Sequence, residues 1–390
     1  MDKQDYIEKV NAAKQHSYNY YVLSAPTISD VEFDLLVAEI EAMEQAHPDW
    51  TLPDSPTQQV GSDLGGTGRR LIRHRTPMLS CQKAQNTDKV QEWLDKLTKK
   101  LGYTPEVMLS LKADGISCSL VYQDGQLISA ATRGDHLQGQ DLMQHVKLIE
   151  TVPQEIKTIC DPDSGTLFSR VEVRGEIVCP IANLEGLTDR NGKQYADCRS
   201  AASSICNQVS ASEDCKKLMF LPWDVIIDNS ESVEGLNNQS DMTRLLKGLG
   251  FGDTCYTDRD NGKHVKDYLE FYGKNRSKCS IPIDGVVIRI NDNKVFAEQG
   301  FTEHHPKGSI AYKFPPQTTT TRVRKIEISV GETGRRTPVA WFEPVTLLGR
   351  TVEKASLGSE DKMRELGVTE GCTVEVGLSN DVTPKIYRVV

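Results

Sequence analysis

Apolar residues recur at helical spacing in two blocks near the start of the chain, residues 5–20 and 29–46. The second block opens at Ser29, with Glu32 three positions later as a capping box requires. Between the blocks lies Tyr20-Tyr21-Val22-Leu23-Ser24-Ala25-Pro26. After them, the stretch from Pro53-Asp54-Ser55-Pro56-Thr57 to Gly65-Gly66 breaks the periodicity and reads as a linker. From Arg69 to Pro315, short β-rich runs such as 167–173 and 285–290 alternate with helical stretches such as 88–100. This is an α+β pattern, and no G-x-G-x-x-G opens a helix. Beyond Pro315 the pattern changes to short strands (323–330, 339–345, 373–377, 385–390) set apart by Gly331, Gly334, Gly349 and Gly371. Five or so short strands in about 75 residues fit a small barrel of the OB type, which commonly binds oligonucleotides.

At 390 residues the chain exceeds one ordinary core, so two or three domains are expected. Hydrophobic residues make up 38% and charged residues 26%, the profile of a globular chain and not of a disordered one. No apolar stretch approaches the roughly 18 residues of a membrane span, and Met1-Asp2-Lys3-Gln4-Asp5 lacks a signal-peptide pattern, so a cytoplasmic location and no membrane partner are expected. The 10 cysteines include no C-x-x-C pair, which argues against a zinc module and for free thiols in a reducing compartment. The net charge of -9 offers no global attraction to nucleic acid, so such a partner must be held by local basic patches. Arg69, Arg70, Arg73 and Arg75 form one basic stretch; Arg322, Arg324, Lys325, Arg335, Arg336 and Arg350 dot the barrel.

The candidate chemistry starts at Lys112, in Leu111-Lys112-Ala113-Asp114-Gly115, with strand-like runs on both sides. The lysine is expected at a tight corner. An amine attacks phosphorus only when deprotonated, and partial burial or neighbouring cations favour that form. Asp114 would orient it, and Gly115 would let a nucleotide approach the backbone. Glu176, Asp284 and Lys313 likewise interrupt apolar β-type runs. Each alone fits an edge-strand charge facing water. Four in succession suggest a shared polar cleft, because burying an unpaired charge is costly.

The ordered motifs Lys112-Ala113-Asp114-Gly115, Arg174-Gly175-Glu176, Asp284-Gly285-Val286-Val287-Ile288-Arg289 and Ala311-Tyr312-Lys313-Phe314 resemble the covalent nucleotidyltransferases, and more closely the bacterial NAD-dependent DNA ligases. The resemblance extends along nearly the whole chain. It includes the 20–26 and 53–61 segments, Thr76-Pro77-Met78-Leu79-Ser80, Ala131-Thr132-Arg133-Gly134-Asp135 and, in the barrel, Thr337-Pro338-Val339-Ala340 and Glu343-Pro344-Val345. It implies three parts: a helical module binding nicotinamide mononucleotide (1–66), an ATP-grasp-like adenylation domain with antiparallel sheets (67–316) and an OB-fold (317–390). The N-terminal module separates this family from ATP-dependent ligases and capping enzymes.

The resemblance further implies that Lys112 attacks the α-phosphate of NAD+ and becomes a lysyl-AMP. The AMP then passes to the 5′-phosphate of nicked double-stranded DNA, and the 3′-hydroxyl displaces it. Arg199, Arg276 and Lys313 would neutralise phosphate charge, and a nearby cation would favour neutral Lys112. Arg133 and Ser80 would help hold nucleotide or DNA, with Arg289 in the nucleotide site. Glu176 and Asp284 would serve the ribose and Mg2+ region, and Tyr20, Tyr21, Asp30 and Asp34 would grip the nicotinamide mononucleotide half. A monomer is expected.

Several positions depart from the family pattern. Ser110 stands where a glutamate meets the adenine edge, Asn207 replaces an arginine, Arg289 a lysine, and Phe33 a tyrosine. In the barrel Glu332 stands where an arginine is usual, and Gly358-Ser359 replaces a histidine-asparagine pair. The sequence ends with the barrel, without a zinc module, helix-hairpin-helix run or BRCT domain, as a shortened or a naturally minimal form would. Two other readings stay open: a non-sealing relative that binds NAD or DNA, and an ATP-dependent polynucleotide ligase.

Overall fold

The computed structural model describes residues 3–21, 27–28, 30–52, 55–57, 69–157, 159–160, 167–189, 191–195, 197–227, 236–252, 256–302, 305–315, 318–330, 336–347, 350–379 and 383–390. The chain divides into two compact units, Met1–Thr27 with Leu35–Phe314 and Ile28–Asp34 with Pro315–Val390. The architecture is α+β, as the hydrophobic pattern predicts, and its sheets are built mostly of antiparallel pairs, as the resemblance implies.

Helix α1 (Lys3–Tyr21) and helix α2 (Asp30–Ala46) match the two helical blocks within a few residues. Tyr6, Val10 and Ala13 of α1 are buried, as are Ile40 and Met43 of α2. The buried carboxylate of Glu44 is satisfied locally: Tyr6 Oη donates to Oε1 at 2.8 Å, and the Thr57 hydroxyl donates to Oε2. Tyr6 Oη in turn accepts from the backbone N–H of Leu52 at 3.0 Å, fastening the chain that leaves α2.

Two sheets carry the functional part of the larger unit. In chain order their strands are β1 (Gln82–Ala84), β2 (Val107–Ala113), β3 (Ile116–Gln123), β4 (Gln126–Thr132), β5 (Arg170–Val178), β6 (Met219–Ile227), β7 (Tyr256–Asp260), β8 (Ile283–Ile290) and β9 (Ser309–Lys313). One sheet has the order β7-β2-β8-β9-β1 and the other β6-β5-β3-β4. The pairs between neighbours are antiparallel apart from β9 with β1.

Strand alternation sorts each sheet into an apolar and a polar face. In the first sheet Val107, Leu109, Val286, Ile288, Ile290, Ile310 and Tyr312 pack against Val90, Trp93, Leu94 and Leu97 of helix α3 (Thr87–Leu101) and against Val265 and Leu269. Helix α3 starts where Asn86 Oδ1 accepts from the backbone N–H of Lys89 and stops at Gly102, whose φ of 79° suits a left-handed cap. In the second sheet Cys118, Leu120, Tyr122, Val171, Val173, Phe220 and Val225 pack against Ala201, Ala202 and Ile205 of helix α4 (Cys198–Cys206). Ala113 of the first sheet meets Val178 and Leu221 of the second, so the sheets join beside the lysine motif.

The smaller unit is a five-stranded antiparallel sheet whose order runs Arg350–Ser356, Arg336–Leu347, Thr318–Val330, Thr373–Ser379, Thr383–Val389. The two central strands are long, 13 and 12 residues, and curl around a core of Val323, Ala340, Phe342, Leu347, Val374, Val376 and Ile386. This is the OB-type sheet that the strand spacing predicts; the strand Arg350–Ser356 was not among those read from the sequence. Ser359 is explained locally: its hydroxyl accepts from the backbone N–H of Lys362 and caps the helix Glu360–Leu366. Glu332 lies outside the described residues. No described helix is long and apolar enough to cross a membrane.

Candidate active site

Lys112 does not occupy a corner. It is the sixth residue of β2, and the chain turns only at Asp114-Gly115. Its side chain, 31% exposed, leaves the polar face of the sheet, where pairing sets it beside Gly285, itself opposite Lys313. The carboxylate that grips it arrives through an irregularity. Ile283 pairs with Ala113 and Gly285 with Lys112, so Asp284 is the extra residue of a β-bulge. Lys112 Nζ donates to both carboxylate oxygens of Asp284 at 2.8 Å, and Lys313 Nζ stands 3.9 Å from Oδ2.

This arrangement corrects the expected protonation of Lys112. Burial pulls its pKa down most and Lys313 opposes the charge, but the Asp284 carboxylate, aided by the charge of Asp114, holds the ammonium form above the ordinary lysine value. Asp114 does not bond the lysine either. It accepts a hydrogen bond from Arg199 Nη1, and Arg199 is aimed by the first turn of α4, which Asp197 caps. Burial raises the Asp114 pKa against the pull of Arg199. Gly115 also has a packing reason: a Cβ there would strike the carbonyl oxygen of Ile177 and press on Val178.

Glu176 comes from the other sheet. It pairs with Ser117 across β5 and β3, and the Ser117 hydroxyl donates to Oε2 at 2.9 Å. Burial pushes its pKa up to about 6, opposed first by Lys112 and then by the Ser117 hydrogen bond, Arg199 and Arg133. The polar faces of the two sheets therefore look at one another across a cleft. Arg133 closes one side, its Nη1 donating to Ser80 Oγ at 3.2 Å.

The remaining candidates are dispersed. Arg276 is buried, its guanidinium 6.0 Å from the centre of the Phe314 ring, next along the chain from Lys313. Arg289 lies over the Phe296 ring at 4.0 Å and donates to Asn293 Oδ1 at 3.1 Å. Asn207 caps the end of α4 and donates to Ser203 Oγ at 3.4 Å. Tyr20 and Tyr21 end α1 and Asp30 and Asp34 lie in the first turns of α2, but their side chains lie outside the described residues.

Sequence reasoning missed three groups in the cleft. Ser117 is one. A second is Arg174, 6% exposed, which donates to Glu172 Oε1 at 2.8 Å and to the carbonyls of Pro77 at 3.0 Å and Thr76 at 2.5 Å, fixing the segment that leads to Ser80. The third is Asp224, a carboxylate inside the apolar run 220–227; the charge-in-a-strand signal that singled out Glu176 would have found it.

Among the described residues no group of three or more His, Cys, Asp or Glu is arranged to hold a metal ion. Glu176 and Asp284 supply two carboxylates on facing sheets, a set that suits Mg2+ only together with substrate phosphate oxygens and waters. Basic side chains of the barrel are largely committed: Arg324 forks onto Glu343 at 2.8 and 2.6 Å, Arg322 donates to the Gly371 carbonyl, and Arg336 stands 3.5 Å from Glu360.

Residues 68–317 match the model of the NAD-dependent DNA ligase adenylation domain, residues 320–390 that of the NAD-dependent DNA ligase OB-fold domain, and residues 3–61 that of the DNA ligase-like N-terminal NAD+-binding domain. A DNA ligase of Parabacteroides distasonis is 33% identical over 383 residues, covering 96% of this chain and 56% of its own. One from Natranaerobius thermophilus is 34% identical over 396 residues, covering 99% and 58%. The chain spans little more than half the length of the curated relatives it matches.

Proposed function

Because this chain belongs to the NAD-dependent DNA ligase family, we propose that it is a nucleotidyltransferase in which Lys112 takes AMP from NAD+ and passes it to the 5′-phosphate of a nick. The observation that carries the reading is the junction at Lys112: an amine on the polar face of one sheet, held by Asp284, beside Lys313 and opposite Glu176.

In the first step a bond forms between Lys112 Nζ and the α-phosphorus, and the bond from that phosphorus to the nicotinamide mononucleotide phosphate breaks. The ammonium group sheds one proton before it attacks, for which Asp284 is the nearest acceptor, and a second as the N–P bond forms, which passes to solvent. Lys313, Arg199 and Arg133 neutralise charge that builds on the phosphate oxygens, and they act strongly because the cleft is partly desolvated. Glu176 and Asp284 would hold Mg2+ together with the substrate phosphates, and the bound ion would draw off further negative charge. Tyr20, Tyr21, Asp30 and Asp34, in a module spanning 1–66, would hold the nicotinamide mononucleotide half, with residues 67–316 as the adenylation domain and 317–390 as the DNA-facing barrel. Ser80, Arg276 and Arg289 would complete the nucleotide site.

The expected product is sealed duplex, made in the cytoplasm by a monomer. The test is a nicked duplex incubated with Mg2+ and either NAD+ or ATP. Sealing with NAD+ alone supports the reading. Sealing with ATP alone overturns the choice of donor, and lysyl-AMP with the nick left open marks a non-sealing relative.

A further inference from the structure

The polar face of the first sheet runs from Lys112 towards Arg289. Gly285 pairs with Lys112, and Arg289 lies four residues further along β8, about 13 Å at the rise of a strand. That span is comparable to a nucleotide measured from phosphorus to base edge. Beyond Lys112 this face carries three short side chains: Ser110 on β2, midway and opposite Val287, then Ser309, opposite Arg289 on β9, and Cys81, whose Sγ lies 3.6 Å from Ser309 Oγ. None of the three is a carboxylate, the group that best accepts from an exocyclic amine.

The carboxylate at this end comes from the other sheet. Leu221 pairs with Glu176 and Pro222 with Gly175, so regular pairing would set Asp224 opposite Val173, on the helix-covered face. The register instead shifts between Pro222 and Asp224, leaving Trp223 as the extra residue and placing Asp224 opposite Arg174, on the cleft face with Glu176. Burial raises the Asp224 pKa, opposed first by Arg289 of the facing sheet and then by Arg174. A bulge has thus turned a half-buried carboxylate towards the end of the cleft remote from Lys112.

We propose that Asp224 accepts a hydrogen bond from the exocyclic amine of the adenine whose phosphate Lys112 receives, at the end of the cleft where Arg289 stands on the facing sheet. This role, which rests on the adenylylation reading above, makes Asp224 the residue that selects adenine where Ser110 offers no carboxylate.

The test compares equilibrium binding of NAD+ and nicotinamide hypoxanthine dinucleotide, in which a 6-oxo group replaces the amine, to the full chain and to its Asp224→Asn and Asp224→Ala variants. The wild type should prefer NAD+ on the order of tenfold. Asp224→Ala should lose NAD+ affinity while leaving the hypoxanthine dinucleotide unchanged, and Asp224→Asn, whose amide can donate to the 6-oxo group, should reverse the preference. A wild type without preference overturns the proposal. So do variants that keep it, or that weaken both dinucleotides equally as a merely structural carboxylate would. Lysyl-AMP formation by the wild type is followed separately by mass: its absence sinks the adenylylation reading, while the base preference still decides the role of Asp224.

Discussion

Asp284 grips Lys112 with both carboxylate oxygens, each 2.8 Å from Nζ, and a bulge in β8 is what turns it there. The Lys112 amine is therefore held in its ammonium form, and the attack on phosphorus proposed for it requires that this clasp yield its proton.

The pH dependence of lysyl-AMP formation should report the clasp. In Asp284→Asn the charge that raises the Lys112 pKa is gone, while burial and Lys313 still lower it, so the alkaline rise in rate should move to lower pH. The plateau should fall by about tenfold or more because the amine is no longer positioned. Single-turnover rates from pH 6 to 10 check this, and an unmoved profile would show that Asp284 does not set the lysine's protonation.

Glu176 should weaken the fold at high pH. Its folded pKa, about 6, lies above the ordinary glutamate value, so the folded state holds the proton more tightly than the unfolded one. Stability is then greatest at acid pH and declines as pH rises through 6. Glu176→Gln should gain on the order of 1–2 kcal/mol at pH 8, with the gain shrinking as pH falls through 6. Thermal unfolding at several pH values measures it. A gain independent of pH would point to some other cause.

The Glu172–Arg174 pair is buried at 6% exposure on each side and anchors the carbonyls of Thr76 and Pro77. Arg174→Met takes the cationic partner from the buried Glu172 and leaves it the Ser119 hydroxyl bond, and should cost about 3–5 kcal/mol in urea unfolding. The double variant with Glu172→Gln should recover part of that loss. If the double variant is worse by the sum of the two single losses, the residues are not coupled.

Gly115→Ala separates packing from nucleotide approach. A methyl group there collides with the Ile177 carbonyl, at the junction of the two sheets, so stability should fall by about 1–3 kcal/mol even without nucleotide. Unchanged stability with weakened nucleotide binding would restore the reading in which Gly115 makes room for the ligand.

Much of this molecule is legible in the sequence, for identifiable reasons. The helices α1, α2 and α3 follow from long apolar periodicity, and the barrel strands follow from alternation between glycines. Lys112, Glu176, Asp284 and Lys313 stand out because each interrupts an apolar run. What the sequence hides is register. Asp284 and Asp224 reach the cleft because of bulges, and nothing local in 283–285 or 222–224 announces an extra residue. Partner choice is hidden too: Asp114 lies two residues from Lys112 yet bonds Arg199, from a helix 85 residues away.

The proposed acceptance of AMP from NAD+ by Lys112 is read out by intact-protein mass after incubation with NAD+ or with ATP, for the wild type and for Lys112→Ala. The wild type should carry a covalent AMP adduct after NAD+, and Lys112→Ala none with either donor. An adduct that persists in Lys112→Ala, or a wild type that stays unmodified by NAD+, would contradict it.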